Sequence, residues 1–247
     1  MEQYGLIGYP LHHSFSKGYF NKKFEVEKID ATYDNYEIES IGDVMKIISD
    51  HPHLCGLNVT IPYKEQIISF LDEIDGHART IGAVNVIKIG KKNKKKYLTG
   101  YNSDYIGFKE SIQPYLPSYH KKALILGTGG SAKAISYGLK QLSISSVFVS
   151  RKKSEGLLTY DELNEDILHT HTVIVNCTPT GMFPQVNDCP QLPYHLLTSQ
   201  HILYDLIYNP KETLFLKKGK EKEATVVNGL DMLLRQAEVA WKIWKDK

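Results

Sequence analysis

Five short apolar segments in the second half of the chain constrain its fold more than any other feature. They read KALILG, SSVFVS, TVIVNCT, HILYDLI and ATVVN, and helical patterns or loops separate them. Strands that are apolar almost throughout are covered on both faces, and strands that alternate with helices form parallel sheets. This half of the sequence therefore predicts an α/β lobe built on a buried parallel sheet.

The first half of the chain also alternates strands with helices. The segments YGLIGY, ATYDNYEI and LCGLNVT have strand patterns, and SKGYFNKKFEV, IGDVMKIIS and YKEQIISFLDEI have helical ones. Two further strand-like runs, AVNVIKI and YLTGY, flank a lysine-rich turn from Lys91 to Lys96, which is typical of a hairpin with a solvated tip. The alternation predicts a second α/β lobe with a largely parallel sheet.

Composition narrows the functional class. The chain has 247 residues with 42% apolar and 23% charged residues and a net charge of only +2, which argues against a nucleic-acid binder. The N-terminus lacks the pattern of a signal peptide, and no apolar run approaches the roughly 20 residues that span a bilayer. The three scattered cysteines form no metal-binding pattern. We expect a cytoplasmic protein, a monomer or homodimer, that binds small molecules and neither metal, nucleic acid nor membrane.

A glycine-rich segment directly follows the first of the five apolar runs. Gly127, Gly129, Gly130 and Ala132 form a G-x-G-x-x-A pattern between a strand and a helix. Such glycines allow a tight turn and a close approach of the backbone to a pyrophosphate, which the helix N-terminus binds. The pattern predicts a dinucleotide site, and the alternative is a glycine turn without a ligand.

The end of the next strand distinguishes between the two nicotinamide dinucleotides. NAD-binding proteins usually carry an acidic residue there, which binds the ribose 2′-hydroxyl. This chain has Ser150, Arg151 and Lys152 instead. Because two cations attract a 2′-phosphate, the sequence favours NADP, and the alternative is two solvated loop cations.

Several polar residues of the first lobe stand out beside the strand ends. Ser14 and Ser16 follow the first strand, and two hydroxyls at this spacing suit a carboxylate, although one also suits a helix cap. Lys64 follows Pro62 and falls in the first turn of a predicted helix. A cation is poorly placed at the positive end of a helix dipole, which favours a lysine that exchanges a proton over a solvated one. Asp104 is either a helix cap or a partner for Lys64.

Together these residues form an ordered set that resembles the shikimate dehydrogenase family, from residue 4 to about residue 241. The matching segments are SFS, NVTIPYK, IGAVN, NSD, GTGGSAKA, NCTPTGM, DLIYNPKET and NGLDMLLRQA. Where the family has asparagine, arginine and threonine after the second strand, this chain has Ser150, Arg151 and Lys152, so the arginine is kept.

The resemblance implies a role for each matching residue. The implied catalytic pair is Lys64 and Asp104. The implied substrate-binding residues are Ser14, Ser16, Asn58, Thr60, Asn85, Tyr208 and Gln236. The implied cofactor-binding residues are Gly127, Thr128, Gly129, Gly130, Ser131, Ala132, Ser150, Arg151, Lys152, Thr178, Leu206, Gly229 and Met232.

The resemblance also implies a fold and a reaction. The substrate-binding lobe is expected to comprise residues 1–103 and 229–247, so that the C-terminal helix returns to it, and the Rossmann-type NADP-binding lobe residues 104–228. The expected reaction is the reversible NADPH-dependent reduction of 3-dehydroshikimate to shikimate, a step of aromatic amino-acid biosynthesis through chorismate. The alternatives are a quinate/shikimate dehydrogenase of relaxed specificity and a non-catalytic NADP-binding sensor.

Overall fold

The computed structural model describes residues 1–11, 15–93 and 95–246. The chain divides into two compact units. The first unit comprises Met1–Ser103 and Ala237–Lys247, and the second comprises Asp104–Gln236. Across the described ranges, no helix combines the length and the apolar character needed to cross a membrane.

The first unit contains a six-stranded sheet. Its strands are β1 (Glu2–Gly8), β2 (Ala31–Glu37), β3 (Leu54–Val59), β4 (Glu73–Ile74), β5 (Val86–Lys92) and β6 (Lys95–Tyr101). Its helices before residue 104 are α1 (Phe15–Glu27), α2 (Val44–Asp50) and α3 (Gly76–Ile81). The spatial order is β2-β1-β3-β5-β6-β4.

The pairing within this sheet is mixed. Strand β1 is parallel to β2 and β3, as the strand–helix alternation predicts. Strand β5 is antiparallel to β6, with which it forms the predicted hairpin, and it is also antiparallel to β3. The first three strands are therefore parallel and the hairpin is antiparallel, both as predicted, and the antiparallel pairing of β3 with β5 joins the two parts.

The prediction of a helix over YKEQIISFLDEI is wrong. This segment forms a 3-10 helix over Gln66–Phe70 and then strand β4. Ile67 is fully buried in the core and Ile68, Phe70, Leu71 and Ile74 pack against it, which accounts for the apolar residues of this segment. The chain then extends because Asp72 bonds to Leu98 of β6 twice, through its backbone N–H at 3.0 Å and through its carboxylate, which accepts the Leu98 N–H at 2.7 Å.

The second unit contains a six-stranded parallel sheet. Its strands are β7 (Lys122–Leu126), β8 (Ser145–Ser150), β9 (Leu158–Thr159), β10 (Val173–Asn176), β11 (Ile202–Asp205) and β12 (Thr225–Val227). Its helices are α4 (Asp104–Ile112), α5 (Gly130–Gln141), α6 (Glu165–Thr170), α7 (Leu214–Lys220) and the start of α8 (Leu230–Lys245). The order β9-β8-β7-β10-β11-β12 is that of a Rossmann sheet, which confirms the predicted fold class.

The strands β7, β10 and β11 are buried at every position except the first residue of β7. Separate clusters of apolar residues cover the two faces of this sheet, one containing Ile125 and Val175 and the other Leu124 and Ile174. Successive residues of a strand face opposite sides, so both faces need apolar side chains. This explains the nearly continuous apolar character of these three runs, whereas β8 and β12, the strands of the other two runs in SSVFVS and ATVVN, are less buried.

The C-terminal helix α8 belongs to both units, since the division falls between Gln236 and Ala237. In the first unit, Ala240 and Trp244 pack with aromatic residues of α1 and the strands. Met232 and Gln236 are buried as well, whereas Leu230, the first residue of the helix, is 39% exposed.

A buried histidine of the second unit predicts how stability depends on pH. His201 accepts the Thr198 N–H at Nδ1, and its Nε2 donates to the Leu168 carbonyl, both at 3.0 Å. Burial lowers the pKa of His201. Because the unfolded chain then binds more protons, the free energy of unfolding is expected to fall as the pH drops from about 7 to about 5.

Chemical denaturation at a series of pH values measures this dependence. His201→Asn removes the titrating ring, so its free energy of unfolding is expected to change less over that pH interval than that of the wild type. At pH 7 the variant is expected to be less stable by about 1–3 kcal/mol, the cost of a lost buried hydrogen bond. His195→Asn is the control because His195 is exposed. Equal pH dependence in wild type and His201→Asn would contradict the prediction.

Candidate active site

The predicted cofactor residues of the second unit gather at one edge of its sheet. They follow the carboxyl ends of four strands: residues 127–132 follow β7, residues 151–152 follow β8, Thr178 follows β10 and Leu206 follows β11. Ligands of doubly wound sheets bind beyond this edge, where the strand order reverses. In this sheet the reversal lies between β7 and β10.

The glycine loop has the geometry of a phosphate-binding turn. Gly127 has φ of +106°, a conformation that side chains with a Cβ rarely adopt. Gly129 precedes α5 as its N-cap and offers no side chain to cap the helix. A Cβ on Gly129 would meet no atom within 4 Å, so there is open space beside the helix N-terminus. The uncapped N–H groups and the open space suit a pyrophosphate.

The end of β8 carries exposed positive charge. Ser150 is partly buried, and its hydroxyl accepts the Lys152 N–H at 3.2 Å, which closes a turn. Arg151 and Lys152 are exposed. Arg151 lies near the Tyr160 phenol: burial raises the pKa of Tyr160, and the positive charge of Arg151 opposes that rise. In contrast, Lys153 is paired with Glu162 at 2.5 Å. Arg151 and Lys152 are therefore available to a phosphate at the position where NAD-binding proteins have an acid.

A buried carboxylate joins the ends of β10 and β11. Asp205 is fully buried and accepts hydrogen bonds from Thr213 Oγ1 at 2.6 Å, Asn176 Nδ2 at 3.0 Å and the Ile207 N–H at 3.1 Å. Despite these bonds, burial raises the pKa of Asp205 to about 6. Asn176 in turn accepts the Thr178 hydroxyl at 2.7 Å and the Thr178 N–H at 3.1 Å. This network fixes Thr178.

The segment after β11 lies against the start of α8. The Gly229 N–H donates to the Ile207 carbonyl at 3.1 Å. A Cβ on Gly229 would lie 2.1 Å from the Leu206 carbonyl oxygen, so only glycine fits. The structure therefore brings together Leu206 and Gly229, both predicted cofactor residues. Met232 is buried in the core of the second unit together with Phe108 and Tyr204.

In the first unit, three polar side chains form a chain of hydrogen bonds, and two of them, Tyr33 and Asn58, are buried. The Tyr33 hydroxyl donates to Asn58 Oδ1 at 2.7 Å and is also hydrogen-bonded to the Ser16 hydroxyl. Asn58 Nδ2 donates to the Asn85 carbonyl at 3.3 Å. Two predicted substrate residues, Ser16 and Asn58, are thus connected through Tyr33, which has no predicted role.

The neighbouring segments are tied together by further bonds. Asn85 accepts the Ser103 N–H at 2.7 Å and donates to the Ser103 hydroxyl at 2.9 Å. The turn containing Thr60 and Lys64 is attached here as well, because the Val84 N–H donates to the Lys64 carbonyl at 2.7 Å. The backbone of Lys64 therefore lies close to Asn85, the residue that follows Val84.

The predicted catalytic residues lie in local structures that differ in part from expectation. Lys64 is half-buried in a turn before the five-residue 3-10 helix rather than in the first turn of an α-helix, so the argument from the helix dipole is wrong. Asp104 is buried and is the first residue of α4, where a carboxylate suits the helix dipole. Because Lys64 belongs to the first unit and Asp104 to the second, their pairing stays a prediction.

The remaining predicted substrate residues are Ser14, Tyr208 and Gln236. Ser14 lies outside the described residues. Tyr208 is half-buried, and burial raises its pKa. Gln236 is buried on α8, and its Nε2 donates to the Leu233 carbonyl at 2.9 Å. Both belong to the second unit.

Sequence reasoning gave no role to three residues that organise the site. Asn176 and Asp205 are the last residues of two apolar strands, at the carboxyl edge of the sheet. A polar residue at the end of an apolar strand is a sequence pattern by which such residues can be found. Tyr33 carries no comparable signal, since an aromatic residue in a strand normally indicates core packing alone.

The second unit defines the general class: a protein with a Rossmann-type sheet, the fold of many dinucleotide-binding domains. The family model for the shikimate dehydrogenase substrate-binding domain matches residues 6–87, within the first unit. The NADP(+) shikimate dehydrogenase of Caldicellulosiruptor saccharolyticus is 36% identical over 263 aligned residues, which cover 100% of this chain and 93% of that protein.

Two solved structures are similar over both units. The shikimate dehydrogenase of Aquifex aeolicus has a TM-score of 0.87 at 35% identity, and the match covers 100% of this chain and 93% of that one. The enzyme of Thermus thermophilus, solved with NADP(H) and shikimate, has a TM-score of 0.86 at 25% identity and coverage of 100% and 94%. The chain belongs to the shikimate dehydrogenase family.

Proposed function

We propose that this protein is a shikimate dehydrogenase that catalyses the reversible NADPH-dependent reduction of 3-dehydroshikimate to shikimate. The observation that carries the proposal is the full-length similarity to NADP(+)-dependent shikimate dehydrogenases, which extends over both units. The exposed Arg151 and Lys152 at the end of β8 support NADP as the cofactor.

The two units divide the work in this proposal. The first unit, which matches the family's substrate-binding domain, binds the ring and its carboxylate. The second unit binds NADP along the carboxyl edge of its sheet, with the pyrophosphate at the glycine loop before α5. Thr178, Leu206 and Gly229 would hold the nicotinamide. The domain boundaries at residues 103/104 and 228/229 are predictions as well, and so are the cytoplasmic location and the monomeric or dimeric state.

The chemistry requires a hydride and a proton. NADPH supplies the hydride to the ring carbon that bears the ketone and leaves as NADP⁺. Lys64 donates a proton to the ketone oxygen as the C–O double bond becomes a single bond, and it accepts that proton in the reverse direction. Asp104 orients the Lys64 ammonium and holds the reacting hydroxyl.

The polar residues of the first unit hold the substrate for this reaction. Ser14 and Ser16 bind the carboxylate, and Asn58, Thr60 and Asn85 bind ring hydroxyls. Tyr208 and Gln236 also bind the substrate. Orientation by several such contacts lowers the barrier, because the reacting atoms are already in place.

The test is to measure reduced nicotinamide by absorbance with each of shikimate and quinate, combined with each of NADP and NAD. We expect the highest kcat/KM for shikimate with NADP. Higher kcat/KM for quinate would favour the relaxed dehydrogenase. No turnover with any pair, in a protein that binds NADP, would favour the sensor and contradict the proposal.

A further inference from the structure

The hydroxyl of Tyr33 is a buried polar group of the first unit that is hydrogen-bonded to two predicted substrate residues, Ser16 and Asn58. Tyr33 lies in the middle of β2 and is fully buried. Its hydroxyl donates to Asn58 Oδ1 at 2.7 Å, and the Ser16 hydroxyl is its second hydrogen-bond partner. A phenol has a single hydrogen. Since Tyr33 gives that hydrogen to Asn58, its oxygen accepts the hydrogen of Ser16; a substrate carboxylate, which only accepts, would take this hydrogen over from Tyr33.

These bonds determine the orientation of the Asn58 amide. Asn58 Nδ2 donates to the Asn85 carbonyl at 3.3 Å, so the amide nitrogen must face that oxygen. The amide oxygen then faces Tyr33, which supplies the donor it needs. A reversed amide would set its oxygen against the Asn85 carbonyl. One Nδ2 hydrogen is left over, so Asn58 can offer a donor of fixed direction to a ligand.

The ring of Tyr33 is held by contacts that do not involve its hydroxyl. It stacks on Phe20 with 4.7 Å between ring centroids and 13° between ring planes. The Asn21 side chain bonds both backbone groups of Tyr33: it accepts the N–H at 2.9 Å and donates to the carbonyl at 2.8 Å. Removal of the hydroxyl alone therefore leaves the ring in place.

We propose that Tyr33 is a positioning residue for the substrate, whose hydroxyl holds the Asn58 amide in the orientation in which it binds the substrate. The inference rests on the proposed function, because that function assigns Asn58 to the substrate. Tyr33 itself acts through this side chain. Loss of its hydroxyl frees the amide to rotate and leaves the Asn58 oxygen without its donor.

Tyr33→Phe tests this inference in the full-length protein. We expect the KM for shikimate to rise about tenfold, while the KM for NADP stays unchanged and kcat falls by less than the KM rises, because weaker substrate binding acts mainly on KM. The control is Tyr4→Phe. Tyr4 is equally buried in the first unit, but its hydroxyl donates to Glu2 at 2.9 Å, and neither residue has a predicted ligand.

A double-mutant cycle separates positioning from packing. If Tyr33 acts through Asn58, Tyr33→Phe is expected to raise the KM for shikimate much less in an Asn58→Ala background than in the wild type. An unchanged KM in folded Tyr33→Phe, or an equal rise in Tyr4→Phe, would overturn the inference while leaving an active wild type and the proposed function intact. Failure of Tyr33→Phe to fold would overturn it too, since the ring contacts should suffice. A wild type inactive on shikimate would overturn both.

Discussion

Lys64→Ala is expected to lower kcat for shikimate oxidation by about 100-fold or more, the usual cost of losing a general acid–base group. The structure alters the argument for Lys64. The helix that would have opposed its charge is absent, and a turn fixed to Val84 takes its place. The prediction therefore rests on where this turn lies, next to Asn85 and the polar chain of the first unit, and on the family motif.

Initial rates at saturating shikimate and NADP measure this effect, and titration with NADP checks that the cofactor still binds. Lys46→Ala is the matched control, because Lys46 is an exposed lysine on α2 of the same unit. We expect wild-type rates from the control. Turnover close to wild type in Lys64→Ala would rule out Lys64 as the proton donor.

Arg151→Ala is expected to raise the KM for NADP by roughly 10- to 100-fold, and the KM for NAD far less. Hydrogen bonds to charged groups contribute about 1.5–3 kcal/mol, and each 1.4 kcal/mol corresponds to a factor of ten. Arg151 is exposed and lies near the Tyr160 phenol, so it has no large structural role to lose. Only NADP carries the 2′-phosphate that the guanidinium would bind.

Lys153→Ala is the control for this prediction. Lys153 is two residues further along the chain, but its ammonium is paired with Glu162 at 2.5 Å. Its loss is expected to change the KM for NADP by less than about threefold, as for an exposed ion pair. If Arg151→Ala weakens NADP and NAD equally, the 2′-phosphate lies elsewhere.

The fold of the second unit was predictable because each of its main strands is apolar on both faces. Leu124 and Ile125 illustrate this, since they are adjacent in β7 and contribute to the cores on opposite sides of the sheet. The glycine loop was predictable for a related reason: Gly127 needs a backbone conformation that other residues rarely adopt. In both cases the constraint acts within a few residues of sequence.

The errors arose where distant residues decide the local structure. The segment from residue 63 to 74 has helical periodicity, yet the two hydrogen bonds between Asp72 and Leu98 draw its end onto the sheet. The role of Tyr33 in the site likewise depends on residues that are distant in the chain. Its partners Ser16 and Asn58 are 17 and 25 residues away in the chain, so nothing local reveals that its hydroxyl joins them.

The central claim is that this protein moves a hydride between NADPH and the ring of 3-dehydroshikimate. The most direct test uses NADPH with deuterium at the carbon that donates the hydride, followed by analysis of the product by NMR and mass spectrometry. We predict shikimate that carries one deuterium, at the carbon that bore the ketone, for each NADPH consumed. If NADPH is not consumed, or the product contains no deuterium with either stereoisomer of the labelled cofactor, the claim is wrong.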